Sequence, residues 1–174
     1  MTGSLARTTH IAIGLLGTSR PFTVLHRTLY RRLGGRGILR HGLGADAILL
    51  TTIGARTGRS RTVPLFAFPV DTAPVGPGAA TSRPGANEPD PPGRWAVVAS
   101  NAGRRHAPAW HHNLEADPAV TVQLGARRWH ARARTAAGEE HARLWALVAA
   151  RYPGYDTYLD RADRAIPIVV LEPR

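Results

Sequence analysis

"LLTTIGARTGRSRTVPLFAF", Leu49 to Phe68, holds two apolar runs rich in β-branched residues around a turn with two glycines, two hydroxyl residues and three arginines. Runs of this kind bounded by a glycine-containing turn read as a β-hairpin. Its charge is more than a hairpin needs. Gly54 and Gly58 permit positive φ, Thr57 and Ser60 offer hydroxyls, and Arg56, Arg59 and Arg61 offer guanidinium forks, so with exposed N–H groups the turn reads as an anion nest. A solvated turn carrying arginine for solubility explains the same composition equally well. It is not a P-loop, because the Gly-Lys-Ser/Thr ending is absent and no helix follows.

Further strands are expected outward from this hairpin at "RWAVVAS", "AVTVQL", "RRWHARAR" and "IPIVVLE". With the hairpin they make about six antiparallel strands, a sheet or barrel. Helices are expected at "PAWHHNLEADP", stopped by Asp117-Pro118, and from Gly138 to about Arg151, where Leu144, Leu147 and Val148 share a face and Glu139-Glu140 suit the helix dipole. The fold class is mainly β with flanking helices. Two segments stand apart. Residues 1–44 comprise an amphipathic helix within Leu5 to Arg32 and a glycine-rich connection, and residues 71–93 form a Pro- and Gly-rich insertion too poor in apolar residues to order itself. The barrel domain is therefore 45–174.

With 174 residues and 43% apolar content, the chain is one globular domain. The absence of cysteine excludes disulfides and thiolate metal sites. The net charge of +11 comes from arginine alone, since the sequence holds no lysine, a usage that codon bias also produces. Nucleic acid is set aside as a partner, because aromatics are not interleaved with the arginines and no helix-turn-helix or RRM signature occurs. No apolar run approaches the roughly 20 residues of a membrane span and no signal peptide follows Arg7, so a cytoplasmic location is expected. The basic N-terminal helix leaves peripheral membrane contact open, although docking on the domain explains the same spacing.

Two more segments carry candidate chemistry. In "VVASNAGRRHAPAWHHNL" a strand runs into small residues that let a flat ligand approach the backbone, with Ser100, Asn101 and Ala102 as donors and Gly103 for the turn. His106, His111, His112 and Glu115 raise a metal site, which is set aside because adjacent histidines on a helix point to different faces. In "RYPGYDTYLDRADR", the spacing of Tyr152, Tyr155 and Tyr158 favours a core edge, with a pocket wall that donates protons as the other reading. No Ser-His-Asp order or GxSxG elbow appears.

Three segments in this order, "LLTTIGARTGRSRTVPL", "VVASNAGRRHAPAWHHNLEADPAVTVQLG" and "GEEHARLWALVAARYPGYDTYLDRADRAIPIVVLEP", resemble the deazaflavin-dependent nitroreductase family, split β-barrel proteins that use coenzyme F420. The likeness covers roughly Ala47 to Pro173 apart from 71–93. It implies a split β-barrel, FMN-binding-protein-like, acting as an F420H2-dependent reductase that passes hydride to an enone, quinone or nitro compound. Arg56, Thr57, Gly58 and Arg61 would grip the cofactor's phosphate and acidic tail, with Pro64 in the "VPL" that follows. Ala99, Ser100, Asn101, Ala102 and Gly103 would hold the ring, with Pro108, Ala109 and Trp110 nearby. Tyr152, Tyr155 and Tyr158 would line the substrate side as catalytic candidates. Ala55 and Asn101 depart from the basic residues common in relatives, which leaves Arg59 or Arg104 to compensate. FMN on the same barrel and a non-catalytic deazaflavin carrier are the alternatives. Monomer and homodimer both stay open.

Overall fold

The computed structural model describes residues 41–42, 45–71 and 93–174. The expected amphipathic helix and all but the ends of the expected insertion lie outside the described residues. In chain order come β1 (His41–Gly42), β2 (Ala45–Ile53), β3 (Ser60–Pro69), β4 (Trp95–Val98), a 3-10 turn (Asn101–Gly103), α1 (Ala109–Ala116), β5 (Ala119–Leu124), β6 (Arg127–Thr135), α2 (Gly138–Arg151), α3 (Gly154–Ala162) and β7 (Ile168–Pro173).

All strand pairs are antiparallel, in the order β1-β2-β3-β4-β7-β6-β5. A further pairing of β2 with β5, Leu50 opposite Val122, closes β2 to β7 into a six-stranded barrel. Closure removes the free sheet edges that β2 and β5 would otherwise present. All six expected strands are present, and β1 is an addition within the glycine-rich connection.

Strand alternation divides the apolar residues into two cores. Ile48, Leu50, Ala67, Val97, Val122, Ala131 and Val169, drawn from all six strands, fill the barrel, and Trp110 and Leu114 of α1 pack with them. The opposite faces of β3, β4 and β7 carry Phe68, Ala96, Val98, Ile168 and Val170, which meet Leu144 and Val148 of α2, Tyr152 just after it, and Tyr155 and Tyr158 of α3. Burial on both strand faces stabilises these strands by about 25 cal/mol per Å² of apolar surface removed from water.

Two polar contacts and one close approach fix the helices. Asp117 ends α1, its carboxylate accepting from the Ala119 amide at 3.0 Å. Arg134 of β6 donates to Glu172 of β7 and to Glu140 in the first turn of α2, both at 2.8 Å. Gly154 opens α3 where a Cβ would stand 2.7 Å from the Tyr152 ring, so only glycine lets that ring fold back over the junction. Among the described residues no helix is long and apolar enough to cross a membrane.

Candidate active site

A cavity of about 620 Å³ opens beside the barrel, within the range of small-molecule and cofactor sites. Val63, Pro64, Leu65 and Phe66 of β3 form one wall. Val98, Ser100, Asn101 and Ala102 continue it from β4. Pro108, Ala109, Trp110 and His112 bring the start of α1, and Tyr152, Tyr155 and Tyr158 complete the enclosure.

The floor between β4 and α1 has an unusual backbone. Asn101, Ala102 and Gly103 take φ of 49°, 54° and 73° in succession. A non-glycine residue in the left-handed region costs on the order of 1 kcal/mol, so surrounding contacts must hold this turn. The Gly103 amide donates to Ser100 O at 3.0 Å and the Asn101 side chain donates to His106 O at 3.1 Å. A Cβ on Gly103 would lie 3.2 Å from the Tyr158 Cα, which is how closely the turn approaches α3.

The tyrosines are buried in the outer core and border the cavity as well, so the two readings of their spacing hold together. Tyr155 stands edge-on to Phe68, with ring centroids 6.0 Å apart, and Tyr152 and Tyr158 bring their hydroxyls to 3.5 Å. Burial pushes the Tyr155 phenol well above its usual value. It does the same for Tyr152, reinforced by the Tyr158 hydroxyl. Both stay protonated at neutral pH, able to donate hydrogen bonds to charge appearing on a ligand.

The β2–β3 turn lies outside the cavity lining, so Arg56, Thr57, Gly58 and Arg61 form a separate group on the surface. Arg61 precedes Pro64 by three residues on the strand that walls the cavity, about 10 Å at roughly 3.3 Å per residue. Arg56, Arg59 and Arg61 are exposed, and among the described residues they make no ion pair. The expectation of exposed N–H groups is corrected. Gly54 donates to Arg59 O, Thr57 and Gly58 to Gly54 O, Arg59 to the Thr57 hydroxyl, and Ala55 to Asn113 Oδ1 of α1 at 3.1 Å. With these five amides engaged, anion binding falls mainly to the side chains.

Of the other expected ring-holding residues, Ala99 and Gly103 are buried behind the lining. Sequence reading reached the β3 wall only at Pro64 and missed Val63, Leu65 and Phe66, because this stretch is apolar at every position and shows no preferred face, and it gave His106 and His112 no role beyond the metal site that it set aside. The geometric reason for dismissing a metal also fails. Donor atoms of His111, His112 and Glu115 lie within 4.8 Å of one another. Burial lowers the His111 pKa, only partly opposed by Glu115, which keeps the imidazole neutral.

A closed antiparallel barrel with a small-residue cavity floor and a cationic turn beyond its rim is the architecture of a split-barrel oxidoreductase. Residues 23–73 and 86–173 match the F420H(2)-dependent quinone reductase family, and the chain belongs to it. It is 32% identical over 153 residues to an F420H(2)-dependent quinone reductase of Mycobacterium tuberculosis, covering 86% of this chain and 89% of that one. Among solved structures, one of an F420-H2 dependent reductase superposes with a TM-score of 0.56 at 32% identity, over 72% of this chain and 93% of its own. Another, described as a domain-swapped dimer, gives 0.59 at 31% identity over 86% and 96%. These similarities bear out the resemblance to F420-dependent reductases and the split-barrel fold, and give FMN no support.

Proposed function

We propose that the protein reduces an electron-poor small molecule, of the quinone, enone or nitro class, with hydride from F420H2. The observation that carries this reading is one cavity joining the small-residue turn, the apolar β3 wall and two protonated, buried phenols, with Arg61 at the start of the same β3 strand and Arg56 and Arg59 in the turn before it. When bound, the reduced deazaflavin supplies the hydride.

The residues present fit such a cofactor. Ser100, Asn101 and Ala102 with Gly103 allow a flat ring close to the backbone, and Val63, Leu65 and Trp110 offer apolar surface beside it. Arg56 and Arg61, with Thr57 and Gly58, would hold the phosphate and acidic tail, and Arg59 stands in the same turn to offset the missing charge at Ala55. Pro108, Ala109 and Trp110 close the cavity on the α1 side. Tyr155, supported by Tyr152 and Tyr158, would donate a hydrogen bond to the substrate oxygen that gains charge. Remaining in the phenol form suits Tyr152 and Tyr155 for that stabilisation more than for complete proton release, which leaves water to finish protonation.

The barrel would act as the domain 45–174, with 71–93 as an insertion beside it. The relative described as a domain-swapped dimer supports a homodimer here, which light scattering measures directly. The reaction is tested by mixing the protein anaerobically with F420H2 and menadione and following the return of oxidised F420 fluorescence, with reduced FMN in parallel. The proposal expects turnover with F420H2. Turnover with reduced FMN alone would refute it.

A further inference from the structure

α3 ends at Ala162 with Asp163 in the left-handed conformation, φ 51°, and this turn sends Arg164 back beneath the cavity floor. The guanidinium enters a cluster of main-chain oxygens. Its Nε donates to Arg104 O at 3.2 Å and Nη1 to Ala165 O at 2.9 Å. Its Nη2 donates to Ala99 O at 3.0 Å, with Ser100 O at 3.3 Å and His106 O at 3.4 Å. No carboxylate pairs with it among the described residues. Four of the five carbonyls belong to the Ala99 to His106 segment, which holds the three consecutive left-handed residues.

We infer that Arg164 is a positioning residue for the reaction: one guanidinium gathers the carbonyls of 99, 100, 104 and 106 and so fixes the left-handed turn against which the deazaflavin ring would lie. The inference rests on the proposed F420 reading of the cavity. Guanidinium chemistry explains the choice of residue. Its planar fork presents five N–H donors in fixed directions, whereas an ammonium has three and a carboxamide two. Carbonyl dipoles converging on the cation take the place of a counter-ion. A carboxylate there would draw the guanidinium away from the loop.

Full-length Arg164→Gln and Arg164→Lys proteins test this by three measurements: amide hydrogen exchange without ligand, F420 affinity by fluorescence titration, and kcat and KM with F420H2 and menadione. In Arg164→Gln, exchange should accelerate at residues 99–106 while β2, β5 and β6 stay protected. F420 affinity should fall about 10- to 100-fold, the scale on which a misplacement of about 1 Å acts, and Arg164→Lys should recover part of it. Wild-type exchange at 99–106 with unchanged F420 affinity would overturn the inference. So would uniform acceleration across the barrel, the mark of a merely structural role. If Arg164→Gln does not fold, unchanged exchange and affinity in Arg164→Lys overturn it equally. Failure of the wild type to bind F420 would refute the cofactor reading instead, and exchange at 99–106 would still decide whether Arg164 braces the turn.

Discussion

Tyr155 is the residue on which the proposed chemistry turns. Hydride addition places negative charge on a substrate oxygen, and a hydrogen-bond donor aimed there is worth about 10²- to 10³-fold in rate. The ring already packs against Phe68, Tyr152 and Tyr158, so Tyr155→Phe keeps the packing and removes only the hydroxyl. Steady-state kinetics should show kcat down by about that factor with F420 affinity unchanged; an unchanged kcat would leave Tyr155 a wall. Because burial lifts this phenol above its ordinary value of 10.0, its ionisation should cause no fall in rate below pH 10. The place of Tyr155 in the cavity lining was beyond the sequence, where the tyrosine spacing alone favoured a core edge. Arg164 was also illegible, since its partners are carbonyls some sixty residues earlier that carry no side-chain signature.

At the scale of elements, Arg134 joins β6, β7 and α2 through Glu172 and Glu140. Hydrogen bonding to Arg134 holds the Glu140 carboxyl below its ordinary 4.5. A depressed carboxylate contributes stability that is present above its unfolded pKa and lost as pH falls through its folded one. Glu140→Gln should therefore lower the thermal midpoint at pH 7 by an amount corresponding to about 0.5–1 kcal/mol, since the group is partly exposed. The difference from wild type should narrow as pH drops from 4.5, and a constant difference would show that charge has no part. Asp71 and Arg94 make a second clasp, with Nη2 to Oδ1 at 2.6 Å and the Arg94 amide to Oδ2 at 3.0 Å. Because this clasp closes the base of the insertion, replacing residues 73–91 by a short turn should leave the thermal midpoint within about 2 °C, loop length adding little entropy. A large loss would show that the segment packs on the barrel. Six strands and the helices α1 and α2 were legible as apolar runs bounded by turn residues, whereas α3 was not among the expected helices. The turn's backbone was not, since Asn113 reaches it from α1 across fifty-eight residues.

At the scale of the whole molecule, the proposed function assigns the ring to a largely apolar cavity, which Arg104 also lines, and the acidic tail to the cationic turn at the start of β3. The closure of β2 on β5 that carries this arrangement was legible only as a strand count, because pairing partners are not written in periodicity. The most direct test of the account is fluorescence titration of F420 into wild type and the Arg56→Ala/Arg61→Ala double variant at low and physiological salt. The account predicts that wild type binds, that each arginine lost weakens binding about 10- to 100-fold with the thermal midpoint unchanged, and that the difference shrinks as salt rises. Equal affinity in the two proteins, or no binding by wild type, would contradict it.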